Sequence, residues 1–217
     1  MLEPALNTID KAFLLEPVDV GEFAQIKKGF FSIRVDCYNA KGLGRVSTVQ
    51  SVAMAGLMKM DTLIVNPFEL DVPLFSLDII RAMGKQTLLL ELYDTTLDFT
   101  QSLCTLEKVK DRLLSVANYD LGEKWYDHMK MSPSLAKRGG KKDFAALNRA
   151  ADEFLFGYIS LATDATSCDK LQKKRKSGEY VEGLLQNGGP STDAFAKLLG
   201  KDKTALLFRK FVFGTQD

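Results

Sequence analysis

A chain of 217 residues, 46% hydrophobic and 26% charged, suits one globular domain with a sizeable core, or at most two small ones. Its net charge of +1 argues against a global attraction to nucleic acid or to an anionic membrane. No apolar run approaches the ~20 residues that cross a bilayer, and MLEPALNTIDKAF has charges where a signal peptide is apolar. The expected compartment is therefore the cytoplasm, or the plastid stroma in a phototrophic eukaryote.

The first segment has helical spacing, with Leu6, Ile9, Phe13 and Leu14 following a candidate cap at Asn7. A second short helix is expected around Val20 to Lys27. From Phe30 the texture becomes β-rich: FFSIRVDCYNA, RVSTVQSVAMA and MDTLIVNPF, separated by turn material at Asn39 to Gly44 and Gly56 to Lys59. QTLLLELYD follows a turn at Gly84. Short strands with short connections suit an antiparallel sheet, because parallel strands need long crossovers. The second half is helical. SLCTLEKVKDRLLSVAN and DFAALNRAADEFLFGYISLAT carry apolar residues at three- and four-residue intervals. Two or three more helices are expected over 168–185 and 192–213. Strands flanked in sequence by helices predict a sheet held between helical layers, in one domain over 1–217.

Familiar chemical motifs are absent. There is no GxxxxGK[ST], no GxGxxG after a strand and no GxSxG. The three cysteines, Cys37, Cys104 and Cys168, lack metal or disulfide spacing, so no metal site is expected. The one histidine, His128, makes a Ser-His-Asp triad improbable. It stands beside the one tryptophan, Trp125, in KWYDHMKMSP. A lone histidine is more often structural than catalytic, although its titration range suits proton transfer. Lys137, Arg138, Lys141 and Lys142 form one basic cluster, and Lys173, Lys174, Arg175 and Lys176 another. Each reads either as a solvated surface or as a docking surface for an acidic partner.

The segment NPFELDVPLFSLDIIRAMGKQTLLLELYD, residues 66 to 94, resembles a passage of the ferredoxin-dependent bilin reductases. There an aromatic-Pro strand end leads to Asp-Leu-Pro, an apolar pair, a small residue, one further residue and Asp. Here the run is Asp71-Val72-Pro73-Leu74-Phe75-Ser76-Leu77-Asp78, with Val72 and Ser76 departing from the pattern. LGEKWYDHMKMSPSLAKR resembles the family's tryptophan loop and Ser-Pro segment, and the tail from Tyr180 resembles its last helices. The matches run in the same order over about 45 to 214. Red chlorophyll catabolite reductases share the fold and are the nearest alternative.

The resemblance implies a three-layer α/β/α sandwich around a central antiparallel sheet. It implies a biliverdin-type linear tetrapyrrole bound between the sheet and the C-terminal helices. It also implies no tightly bound cofactor, with reduced ferredoxin as the source of single electrons. Asp78 falls on the family's proton-donor aspartate, and in an apolar pocket its carboxyl would hold a proton near neutral pH. The alternative reading of Asp78 is a cap at a strand end. Where the family has glutamate and histidine on the two preceding strands, this chain has Gln50 and Thr62, or, with a slip of one residue, Val49 and Asp61. A bilin carrier or sensor without turnover is therefore the competing function. Asn66, Glu91, Trp125, His128, Ser132 and Asn187 are further candidates for substrate contact. Arg138 and Lys137, or Arg34 and Arg45, are candidates for the bilin propionates.

Overall fold

The computed structural model describes residues 2–216. Helix α1 (Leu2–Ala12) precedes strands β1 (Leu15–Val18) and β2 (Gln25–Lys28), which both pair with β3 (Phe31–Ala40). An antiparallel meander continues through β4 (Gly44–Ala53), β5 (Met58–Pro67), β6 (Leu74–Ala82), β7 (Lys85–Tyr93) and β8 (Leu135–Gly140). Helix α2 (Cys104–Asp111) lies between β7 and β8, and α3 (Phe144–Thr163) follows β8. Helices α4 (Lys170–Asn187), α5 (Pro190–Leu199) and α6 (Lys201–Leu206) lead into a π-helical turn over Leu207–Val212.

The two sheet faces are both covered. Phe75, Leu77 and Ile79 of β6 and Leu88, Leu90 and Leu92 of β7 pack with α1 and α3. There Phe75 stacks on Phe154 and Tyr158 with centroids 5.7 and 4.9 Å away. The opposite face carries Val35, Val49, Leu74 and Tyr93 against Tyr180, Leu184, Phe195, Phe208 and Phe213. Each buried side chain of this size contributes roughly 1.5–3 kcal/mol. The chain is thus a three-layer α/β/α sandwich with helices on both faces of an antiparallel sheet.

The hairpin turns follow their glycines. At Gly44 φ is +150°, and a Cβ there would come within 2.3 Å of the Asn66 carbonyl oxygen, so only glycine lets β4 start against β5.

Several elements differ from the sequence expectation. Asn7 lies inside α1 rather than at its cap. The expected helix at Val20 to Lys27 is a 3₁₀ turn over Gly21–Phe23 followed by β2. Val20, Phe23 and Ile26 recur every third residue, a spacing that a helix and this turn-strand pair bury equally well. Besides β2, three strands were not anticipated: β1, β6 and β8. Consequently Asp78 is not a terminal cap but sits mid-strand, where alternation separates Ser76, Asp78 and Ile80 from Phe75, Leu77 and Ile79.

Candidate functional site

Register builds the site. Val49, Thr62, Asp78 and Leu89 are successive cross-strand partners on β4, β5, β6 and β7, so their side chains form one row on the face opposite α3. Ile64, Ser76 and Glu91 lie on one side of the row, Met60 and Ile80 on the other. Tyr180 and Leu184 of α4, Phe195 of α5, and Phe208, Val212 and Phe213 near the C-terminus cover it. Tyr119, Leu121 and Tyr126 from the segment before β8 complete the wall. The cavity measures about 280 Å³. That lies just below the ~300–1,000 Å³ typical of small-molecule sites, so a linear tetrapyrrole would extend through the mouth or displace part of the cover.

Asp78 is the wall's unpaired acid. Its accessible surface faces the cavity rather than bulk water, and burial raises its pKa from 3.8 to about 7. The Thr62 hydroxyl donates to Asp78 Oδ1, which favours the ionised form, and the nearby Glu91 charge opposes it. Near neutral pH both forms are populated, and the oxygen not held by Thr62 is left to carry the proton.

Glu91 is held differently. Lys130 Nζ lies 2.8 Å from Oε1, and Tyr93 donates to Oε2 at 2.8 Å. Lys130 also pairs with Asp127 at 3.0 Å. The rings of Tyr93 and Tyr180 lie 4.5 Å apart, and burial pushes both phenols well above their ordinary range. Tyr126, its ring edge-on to Tyr93, is pushed up to about 12 by burial. Lys130, Tyr93 and Tyr126 were not singled out in the sequence, and Tyr180 only as the start of the tail. Their signal was weak, because Lys130 reaches Glu91 from a connection of irregular structure.

The remaining sequence candidates divide. Of the two alignments left open, one supplies Thr62 to the wall and the other Val49. Gln50 points to the opposite face and donates to Asp61 at 3.2 Å. Asn66 is fully buried beyond the cavity and donates to the Phe213 carbonyl at 2.7 Å, anchoring the C-terminal cover. Trp125 seals the cover from behind: its indole donates to the Gly188 carbonyl at 3.0 Å and lies flush against Gly183. His128 is exposed and bonded to the Trp125 carbonyl at 2.9 Å, outside the cavity. Ser132 is exposed and donates to Glu107 at 2.6 Å, and Asn187 is exposed at the end of α4. Of this segment Tyr126 reaches the wall, whereas His128 sits in the 3₁₀ turn over Asp127–Met129 and Asn187 is the last residue of α4.

Arg138 stands on edge strand β8 with its guanidinium 5.0 Å from the ring centroid of Tyr119, a cavity residue. Its buried Nε has no hydrogen-bond partner among the described residues. Lys137 alternates to the other face, is buried, and donates to the Val116 carbonyl at 3.0 Å. Arg34 is paired with Asp36 at 2.9 Å, and Arg45 is packed against Gly214. The second basic cluster is not a uniform surface. Lys173 is fully buried, donating to the Val72 and Thr95 carbonyls at 2.8 Å each, 3.4 Å from Asp71. Burial lowers its pKa to about 8. Among the described residues no three His, Cys, Asp or Glu side chains gather where a metal ion could be held.

No family model matches this sequence, and no curated protein matches it. Comparison of structures is informative. The crystal structure of phytochromobilin synthase from tomato in complex with biliverdin superposes with a TM-score of 0.80 at 14% identity, covering 99% of this chain and 82% of that one. The chain therefore has the fold of phytochromobilin synthase, the sandwich that the resemblance to the bilin reductases led one to expect.

Proposed function

We propose that this protein reduces a linear tetrapyrrole, biliverdin or a related bilin, by coupled single-electron and proton transfers. The observation that carries the proposal is Asp78, an acid on an apolar cavity wall with a pKa of about 7. A general acid works best with a pKa near the working pH. The electrons come from an external one-electron donor, reduced ferredoxin in this reading, and each raises the basicity of the bilin nitrogens and lactam oxygens. Asp78 gives its proton to such an atom and becomes a carboxylate held by the Thr62 hydroxyl, and solvent restores the proton. Two electrons and two protons saturate one double bond. Arg138, at the cavity edge with an unsatisfied Nε, would hold a propionate.

One observation favours a second reading, a bilin carrier or sensor without turnover. Val49 and Thr62 in the row beside Asp78 supply no second acid, and Glu91 is ion-paired with Lys130. The experiment is to add biliverdin to the protein, record the absorption spectrum, then add reduced ferredoxin without oxygen. A new product band supports the reductase, and Asp78→Asn should bind biliverdin while losing most turnover. A spectral shift on binding with no product supports the carrier. Turnover at the parent rate by Asp78→Asn would remove the proton donor from the proposal.

A further inference from the structure

Antiparallel pairing gathers the turns before β3, between β4 and β5, and between β6 and β7 at one end of the sheet. Each presents a large apolar residue to solvent. Phe30 is 83% exposed, Leu57 70% and Met83 85%, with Met54 at 54% beside Leu57. Met54 and Met83 adopt φ of +52°, a left-handed conformation that side-chain-bearing residues seldom take, and both stand on exposed turn tips. Scattered exposed apolar residues are ordinary, but a row of them on three adjacent turns is not.

Cations stand behind the tips at a constant interval. Lys28 precedes Phe30 by two residues, Lys59 follows Leu57 by two, and Arg81 and Lys85 flank Met83 by two. At ~3.3 Å per residue the charges sit roughly 6–7 Å back from the apolar ends. Lys141 and Lys142, just past the end of β8, extend the ring. Among the described residues none of Lys28, Lys59, Lys85, Lys141 and Lys142 is ion-paired, whereas Arg81 lies 3.9 Å from Asp61 and donates to Gln86 at 3.0 Å. This stagger matches an anionic lipid surface, where apolar groups sink about 5–10 Å while ammonium groups remain at the phosphates. A second copy of the same positive end would be repelled, and no described helix is long and apolar enough to cross a bilayer.

We infer that this end of the sheet docks the protein peripherally on an anionic membrane. Met60 and Ile80, one residue inside the ring on β5 and β6, line the cavity, so docking would bring its wall close to the lipid. The inference does not depend on what the cavity binds.

The test is sedimentation with sucrose-loaded vesicles, of phosphatidylcholine alone or with about 30% phosphatidylserine. The protein should pellet with the anionic vesicles only. Phe30→Ser/Leu57→Ser/Met83→Ser should weaken binding more than about tenfold at fixed salt, since three inserted side chains are lost. Lys59→Glu/Lys85→Glu should weaken it at least about 25-fold, near fivefold for each cation at the surface. All these positions are exposed, so circular dichroism and thermal unfolding should match the parent. Failure of the parent to pellet would overturn the inference, as expected if the ring instead meets an acidic protein. So would a triple-serine variant that binds as well as the parent.

Discussion

Asp78 can be tested without any ligand. Its folded-state pKa of about 7 lies above the unfolded value of 3.8, so the folded protein binds the proton more tightly. The sign follows: between about pH 4 and 7 the unfolded chain loses this proton first, and stability falls as pH rises, reaching a constant penalty above 7. A difference of about three units at ~1.36 kcal/mol each gives a penalty near 4 kcal/mol at pH 8. Asp78→Asn removes the charge while keeping an oxygen for the Thr62 hydroxyl, and its amide protons in an apolar cavity cost back about 1–2 kcal/mol. The variant should therefore be more stable than the parent by about 2–3 kcal/mol at pH 8. In a chain of this length that is roughly 5–10 °C in Tm. At pH 4.5 it should be no more stable than the parent. The assay is thermal unfolding followed by circular dichroism at both pH values, with other titrating groups cancelling between variants. An equal Tm difference at pH 4.5 and pH 8 would refute a buried, proton-binding Asp78.

Three further outcomes are expected. Thr62→Val removes the hydroxyl that favours the ionised form, so the Asp78 pKa rises. The alkaline limb of bilin turnover should then move up by about one unit, the worth of a ~1.5 kcal/mol hydrogen bond to a charged group. Gly183→Ala places a Cβ 2.2 Å from the Trp125 ring, so the indole must move. Tryptophan fluorescence should shift and biliverdin affinity fall, whereas Gly178→Ala, which meets nothing within 4 Å, should do neither. Lys173→Ala should cost about 3–5 kcal/mol, lowering the urea midpoint by about 1–2 M, because it strips a buried charge from Asp71 and two carbonyls. Arg175→Ala, exposed two residues further along α4, should stay within about 0.5 kcal/mol of the parent.

Local patterns were legible where one face or one turn decides the structure. The glycine turns at Gly42 to Gly44 and at Gly84 bound real hairpins, and the spacing of Leu147, Phe154, Leu155 and Tyr158 marks α3. Strand β6 hid because both its faces are covered, so polar alternation is lost and its one acid imitates an end. Strand β8 hid behind Lys137, Arg138 and two glycines, residues that carry little β propensity and pair only through their backbone with β7. Within the site, Thr62, Asp78 and Glu91 were reachable because strand register converts sequence spacing into a shared face. Gln50 shows the limit, since one residue along a strand reverses the face. Lys173 was beyond reach: four consecutive cations on a helix look alike in sequence, and only packing shows which one turns inward. The net charge of +1 likewise concealed the uneven placement of lysines at one end of the sheet.

The cover of the cavity is fastened from far away in the chain. Asn66 on β5 holds the Phe213 carbonyl, and Ser47 on β4 donates to the Val212 carbonyl at 2.7 Å, across 147 and 165 residues. The hairpins beneath join near neighbours and can form quickly, whereas contacts of such long range form slowly. These two clasps are therefore expected to form late in folding, after the hairpins they close over. Release of these two side-chain clasps, together with the apolar packing of Phe208 and Phe213, would loosen the cover without breaking the sheet's ladder or the α3 layer. Ligand entry would then draw on local opening of the chain's last turn, and a bound molecule would slow hydrogen exchange there before anywhere else.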